Sequence, residues 1–275
     1  MKWIKGAVED EISVVKSLPD FLTNVAPLRG SRCLFRGQAK PWPLLPKAGR
    51  KEYNLMRAAQ PQTSNNQSPD LELFYEWRSE AIAYLPKLPD NDFECLALAQ
   101  HYGLATRLLD WSANPLVALY FACESEVYKK ADGIVYPFLP SYHILLGNTP
   151  QNVYLKNGDR SINISSFSDV HEIARFTPRP FDRRILMQSS SFTYHPVPNK
   201  SIPDARNMLK GLEYYPCIVS ASSKDKILEH LSEIGISRKT LFPDLEGLSY
   251  FLNWQTRTSM KTPRRVIERK GVLRF

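Results

Sequence analysis

Between Phe93 and Cys123 the chain reads FECLALAQHYGLATRLLDWSANPLVALYFAC, and these residues restrict the fold more than any others. Cys95, Leu96, Leu98 and Ala99 stand at helical spacing, and Gly103 can adopt the left-handed conformation that closes a helix. Ala105–Leu109 is too short for a helix and reads as a strand. Asp110–Pro115, rich in turn and cap residues, reads as the turn after it. Asn114 can cap with its side chain, and Pro115 suits the first helical position because its ring fixes φ and its missing N–H goes unneeded there. A second helix, through Leu116, Val117, Leu119, Tyr120, Phe121 and Cys123, is apolar on every side and must be buried.

Thr106, Arg107, Asp110, Trp111, Ser112 and Asn114 therefore gather at one strand-to-helix junction between two buried helices. Such junctions suit ligands: loop polar groups are held on a rigid frame, and a helix N-terminus attracts anions. The plainer alternative is that Arg107 and Asp110 pair with each other and Asn114 only caps.

A chain of 275 residues with 43% hydrophobic content is an ordinary globular composition, able to bury a sizeable core. The opening MKWIKGAVEDEISVVKSL has charges throughout and no continuous apolar run, which argues against a secretory signal or membrane span and for a cytoplasmic protein. Cys33, Cys95, Cys123 and Cys217 are scattered without metal-ligand spacing, so buried reduced thiols are expected and no metal. The net charge of +8 is mostly terminal: from Arg257 onward seven basic residues face only Glu268, leaving six of the eight charges in a tail. Such a tail can meet nucleic acid, an acidic protein or solvent alone.

Ile12, Val15, Leu18 and Leu22 predict an N-terminal helix. Cys33–Gln38 is a short core strand carrying Arg36 toward its end, and the proline-broken AKPWPLLPKAGRK that follows reads as a loop. That loop either lines a phosphate-binding cleft, with Arg36, Lys47 and Arg50 as cations and Trp42 as a stacking face, or packs Trp42 and Leu44 onto the core. The polar residues 61–69 read as an exposed loop, and Asp70–Leu85 as an amphipathic helix. After Cys123 short strands are expected at Gly133–Leu139, Tyr142–Leu146, Val153–Leu155, Ser161–Phe167, Arg184–Gln188, Ser191–His195 and Cys217–Ala221. Helices close the chain at Lys224–Ile234 and Asp244–Thr256. Helices first, strands in the middle and helices again predict a compact single α+β domain over residues 30–256, with an N-terminal helical extension (1–29) and a basic C-terminal tail (257–275).

Phe35-Arg36-Gly37-Gln38, the run Leu98–Trp111, Asn114–Ala122 behind it, Arg184-Ile185 with Gln188, Phe192-Thr193, and Leu241–Gly247 together resemble the FRG-domain family, named for its Phe-Arg-Gly motif. A weaker resemblance is to ADP-ribosyltransferase-like enzymes, which implies a split sheet and NAD as ligand. In that family an aromatic-Arg-Gly strand holds the NAD phosphates or ribose, a Ser/Thr strand shapes the nicotinamide pocket, and a late-strand acid, usually Glu, assists. The resemblance assigns Arg36 to the first role and Thr106 to the second. The third position holds Gln188, not Glu. A carboxylate stabilises the positive charge left on the ribose far better than an amide does. Either Gln188 positions substrate, Asp110 supplies the charge, or the fold only binds.

The implied nucleotide contacts are Arg36, Gly37, Gln38, Trp42, Arg107 and Asn114, and the implied catalytic set is Arg36, Thr106, Asp110 and Gln188. The implied activity is ADP-ribosyl transfer or NAD glycohydrolysis, in a toxin or defence effector; the alternative is a noncatalytic module binding a nucleotide or nucleic acid. Arg36 and the Thr106 strand are expected to line one cleft. No phosphate-binding P-loop or Rossmann fingerprint is present in the sequence, and His143, His171 and His195 are too dispersed to argue a metal site.

Overall fold

Strands this short satisfy their backbone groups only by pairing, and here they pair into one mixed sheet. The computed structural model describes residues 13–53, 55, 68–147, 152–156, 162–164, 166–202 and 216–259. In chain order the elements are β1 (Val14–Val15), α1 (Leu18–Val25), β2 (Leu34–Gln38), α2 (Pro69–Ala81), α3 (Asp92–His101), β3 (Leu108–Ser112) and α4 (Pro115–Cys123). Then come β4 (Gly133–Phe138), β5 (Tyr142–Leu145), β6 (Asn152–Lys156), β7 (Ile162–Ile164), β8 (Ala174–Phe176), α5 (Arg183–Met187) and β9 (Ser190–Tyr194). Last are β10 (Cys217–Val219), α6 (Lys224–Glu233), α7 (Arg238–Leu241) and α8 (Leu245–Ser259). The sheet order is β1-β10-β4-β2-β3-β9-β8-β5-β6-β7, parallel only at β1/β10 and β5/β8. The protein is an α+β single domain.

Two apolar cores serve the two halves of this sheet. In the first, α1, α4 and α6 bring Phe21, Leu119, Ile227 and Leu231 against Leu34, Val135 and Val219. In the second, α2 and α3 bring Phe74, Phe93 and Leu96 against Leu108, Phe176, Phe192 and Tyr194, with Phe93 edge-on to Phe167, Phe176 and Tyr194. Helix α4 lies so close to β2 that a Cβ on Gly37 would stand 1.7 Å from the Ala118 carbonyl oxygen. The glycine of the Phe-Arg-Gly motif is thus a packing requirement.

Several local expectations hold: α3 ends before Gly103, at φ +100°, and Asn114 caps α4 by accepting from the Leu116 N–H at 2.9 Å. Others need correction. Arg184–Gln188 is not a strand: Asp182 accepts from the Arg184 N–H at 2.6 Å and starts α5, Gln188 follows its last turn, and Ser189 at φ 47° swings the chain into β9. The strand read at Ala105–Leu109 lies further on, at Leu108–Ser112. Its register against β9, from Leu108↔Tyr194 to Ser112↔Ser190, takes Asp110, Trp111 and Ser112 out of the expected turn. The N-terminal helix begins only at Leu18, capped by Ser17, because Val14 and Val15 pair with β10. Strand β8 was not anticipated. The basic residues from 260 onward, the polar loop 61–67 and the Asn157–Asp159 turn lie outside the described residues.

Among the described residues, no helix is long and apolar enough to cross a membrane. All four cysteines are buried thiols outside any disulfide. Burial pushes the thiols of Cys33 and Cys123 up to about 12 and that of Cys95 up to about 11, which makes them inert as nucleophiles.

Candidate functional site

The sheet is nearly severed at its centre. Strand β2 pairs with β4 over its whole length, from Leu34↔Phe138 to Gln38↔Ile134, yet meets β3 at a single pair, Phe35↔Ser112. Past that bridge the Arg36 guanidinium spans the gap. Its Nη1 donates to the Asp110 carbonyl at 2.7 Å, supplying the bond that strand pairing would have given that oxygen, and stands 3.7 Å from Asp110 Oδ2. Arg36 Nε is buried and has no hydrogen-bond partner among the described residues. Burial lowers the pKa of Arg36, Asp110 opposes that shift and the nearby Arg50 adds to it. An arginine held this way, with one carbonyl and a distant, exposed carboxylate, is short of negative charge.

A cleft of about 1070 Å³ opens at this parting. Its cationic side carries Arg36, Arg50 and Lys51, its carboxylates are Glu52 and Asp110, and Trp42, Phe121, Tyr128 and Phe242 give it aromatic walls. Trp42 meets Tyr128 edge-on at 4.9 Å, with Lys40 Nζ over both rings at 5.5 and 4.7 Å. The loop bearing Trp42 is irregular but anchored. Ala48 N–H donates to the Thr106 carbonyl, Tyr136 Oη donates to the Trp42 carbonyl at 3.3 Å, and buried Lys224 donates to the carbonyls of Ala39 and Tyr128 at 3.0 and 3.2 Å. Burial pushes the Tyr136 phenol up to about 12, so it stays a neutral donor.

Arg50, Trp111 and Ser112 line this cleft and Lys47 does not; of the implied catalytic and nucleotide-contact residues, six, Arg36, Gly37, Gln38, Trp42, Asp110 and Gln188, line it. Three do not. Thr106 is buried behind it: its Oγ1 donates to Gln100 Oε1, and Gln100 Nε2 donates to Asp110 Oδ1 at 2.5 Å, so Thr106 acts on the cleft only by fixing the Asp110 carboxylate through Gln100. Arg107 turns into the second core, where Nε and Nη2 each donate to Asp70 at 2.7 Å, Nη1 donates to Tyr194 Oη at 3.0 Å, and Nη2 also reaches Ser68. Asn114 is occupied as the cap of α4 and donates its backbone N–H to Ser112 Oγ. Within the cleft, Gln188 Nε2 is tied to the Leu241 carbonyl at 3.1 Å.

Gln100, Tyr128 and Tyr136 were not anticipated as parts of the site. Gln100 is the next-to-last residue of α3, where a polar residue looks like solvent-facing surface, and Tyr128 is embedded in a charged stretch, SEVYKK. A lone aromatic among charges was the available signal.

What the fold and site define is an α+β protein with a cationic, aromatic-walled cleft at the parting of its sheet. Residues 31–131 match the family model of the FRG domain, and this segment of the chain is an FRG domain. It supplies β2, β3, α4 and the Trp42 loop, while Gln188, Ser190 and Phe242 reach the cleft from beyond it. Neither a curated protein nor a solved structure matches the chain.

Proposed function

We propose that the cleft binds an NAD-type dinucleotide, with Arg36 and Arg50 facing its diphosphate, Trp42 stacking on one of its rings and Asp110 as the carboxylate presented to the glycosidic bond. The observation that carries this reading is the half-satisfied Arg36: a cation at the wall of a large cleft, held closely by one carbonyl and with Nε unpartnered among the described residues, is short of negative charge that an anion in the cleft would supply. The volume, about 1070 Å³ and just above the roughly 300–1,000 Å³ range usual for ligand pockets, leaves room for a dinucleotide. NAD as substrate would bring the bond to nicotinamide and its positively charged leaving group. The chain would contribute charge and orientation, with a water molecule attacking the ribosyl carbon as nicotinamide leaves neutral and the water's proton passes to solvent. Asp110 suits the first of these, since Gln100 fixes one of its oxygens while the side chain remains 59% exposed.

A noncatalytic module is the second reading, favoured by Gln188. The late position that would carry an acid in a transferase holds an amide, and its N–H is spent on Leu241. Proton NMR of the protein with NAD separates the two. Slow release of free nicotinamide by the wild type, and binding without release by Asp110→Asn, is the expected outcome. Binding without release by the wild type makes the cleft a binding module. A melting shift with an oligonucleotide but none with NAD transfers the cleft to nucleic acid.

A further inference from the structure

Gln38 is 93% buried by its 7% exposure, stands in the cleft wall, and makes no side-chain hydrogen bond with the described residues; its Oε1 is fully shielded and unpartnered. Its neighbour on the same strand face, Arg36, likewise keeps Nε without a partner. Buried amides are almost always paired, because an amide stripped of water and given nothing in return destabilises the fold by about 1–3 kcal/mol. Packing does not explain the choice of glutamine either: a methionine fills the same volume without any polar atom to satisfy.

Resting on the reading of the cleft as a nucleotide site, we propose that Gln38 is its specificity residue and reads a planar group that offers an N–H donor and an acceptor side by side. A glutamine amide is the complement of such an edge, donor to acceptor and acceptor to donor, once the side chain rotates to bring the shielded Oε1 into the cleft. Two parts of a dinucleotide have it: the adenine edge formed by the N6 amine and a ring nitrogen, and the nicotinamide carboxamide. Trp42 and Tyr128 supply the aromatic wall for the same ring. Arg36, two residues away on β2, faces the phosphates.

The test is calorimetric titration of the wild type and Gln38→Met with matched ligands that differ only in the donor. ADP is compared with N6,N6-dimethyl-ADP, nicotinamide mononucleotide with its 3-acetylpyridine counterpart, and inorganic pyrophosphate serves as the anion alone. The wild type is expected to prefer one donor-bearing ligand of a pair by roughly tenfold or more. Gln38→Met is expected to lose that preference while binding pyrophosphate as the wild type does. The pair that discriminates says whether adenine or the carboxamide is read. Equal affinity within both pairs in the wild type overturns the role of Gln38 and leaves the anion cleft standing. A preference that persists in Gln38→Met overturns it too, by showing that the added methyl groups merely clash. If pyrophosphate and all nucleotides fail to bind the wild type, the nucleotide reading of the cleft fails and takes this one with it.

Discussion

Arg36 and Asp110 face each other across the gap between β2 and β3, joined not by an ion pair of short range but by the guanidinium's bond to the Asp110 main-chain oxygen at 2.7 Å. The carboxylate itself is 3.7 Å away, mostly exposed and engaged by Gln100. Because the cation is fixed by backbone, the carboxylate beside it is not consumed by a short ion pair, and Arg36 Nε is left without a partner among the described residues.

The motif glycine has a different duty from the motif arginine. Gly37→Ala places a methyl group 1.7 Å from the Ala118 carbonyl oxygen, in backbone that cannot withdraw without moving α4 off the sheet. Chemical denaturation should show a loss of more than about 3 kcal/mol, beyond the usual range for overpacking, or failure to fold. A soluble variant with wild-type stability would mean that α4 and β2 are further apart than described.

Arg107 is the residue whose sequence reading and location differ most in consequence. Its guanidinium and the Asp70 carboxylate are 5% and 1% exposed and doubly bonded. Asp70→Asn, which strands the buried cation, should destabilise the fold by about 3–5 kcal/mol in urea, and joint replacement by Asp70→Leu and Arg107→Met should recover most of it. Folded double variant should bind NAD as the wild type does. A loss of binding there, with stability regained, would return Arg107 to the ligand site.

What the sequence made legible and what it did not divide along physical lines. The end of α3 at Gly103 and the Asn114-Pro115 start of α4 are set by local backbone preferences, which a sequence displays directly. Helix α5 is only five residues long, and its Ile185-Leu186-Met187 run has no period to distinguish it from a strand. Strand β3 extends over Asp110, Trp111 and Ser112 because β9 pairs with it and Thr193 takes the Trp111 indole N–H at 2.8 Å, a partner 82 residues away. Arg107 looked like a cleft cation for the same reason: Asp70, 37 residues earlier, cannot be assigned to it from spacing. Arg36, by contrast, was legible as a charge at the end of an apolar strand, where a partner must be sought.

Trp111 also organises a buried histidine. Its indole donates to Thr193 Oγ1, which is also hydrogen-bonded to His195 Nε2 at 3.0 Å, while His195 Nδ1 is buried without a partner among the described residues. Burial, with the charges of Arg36 and Arg107, lowers its pKa from 6.5 to about 3. A folded-state value below the unfolded one means that the neutral ring's contribution is fully present above 6.5 and is lost as the pH falls from there toward 3. The wild type should therefore lose up to ~1.4 kcal/mol per pH unit below pH 6 beyond what His195→Asn loses. Urea midpoints at pH 8, 6.5, 5.5 and 4.5 check this. Parallel slopes for the two proteins would contradict a buried neutral His195.

The most direct measurement of the central claim is calorimetric titration of NAD into the wild type and Arg36→Met, with a melting curve for each. If Arg36 holds the diphosphate, the variant should keep its fold, melting within about 4 °C of the wild type for a change near 1 kcal/mol, while its affinity falls by roughly tenfold or more. A variant that folds and binds NAD as tightly as the wild type, or a wild type that takes up no NAD at all, would contradict the account.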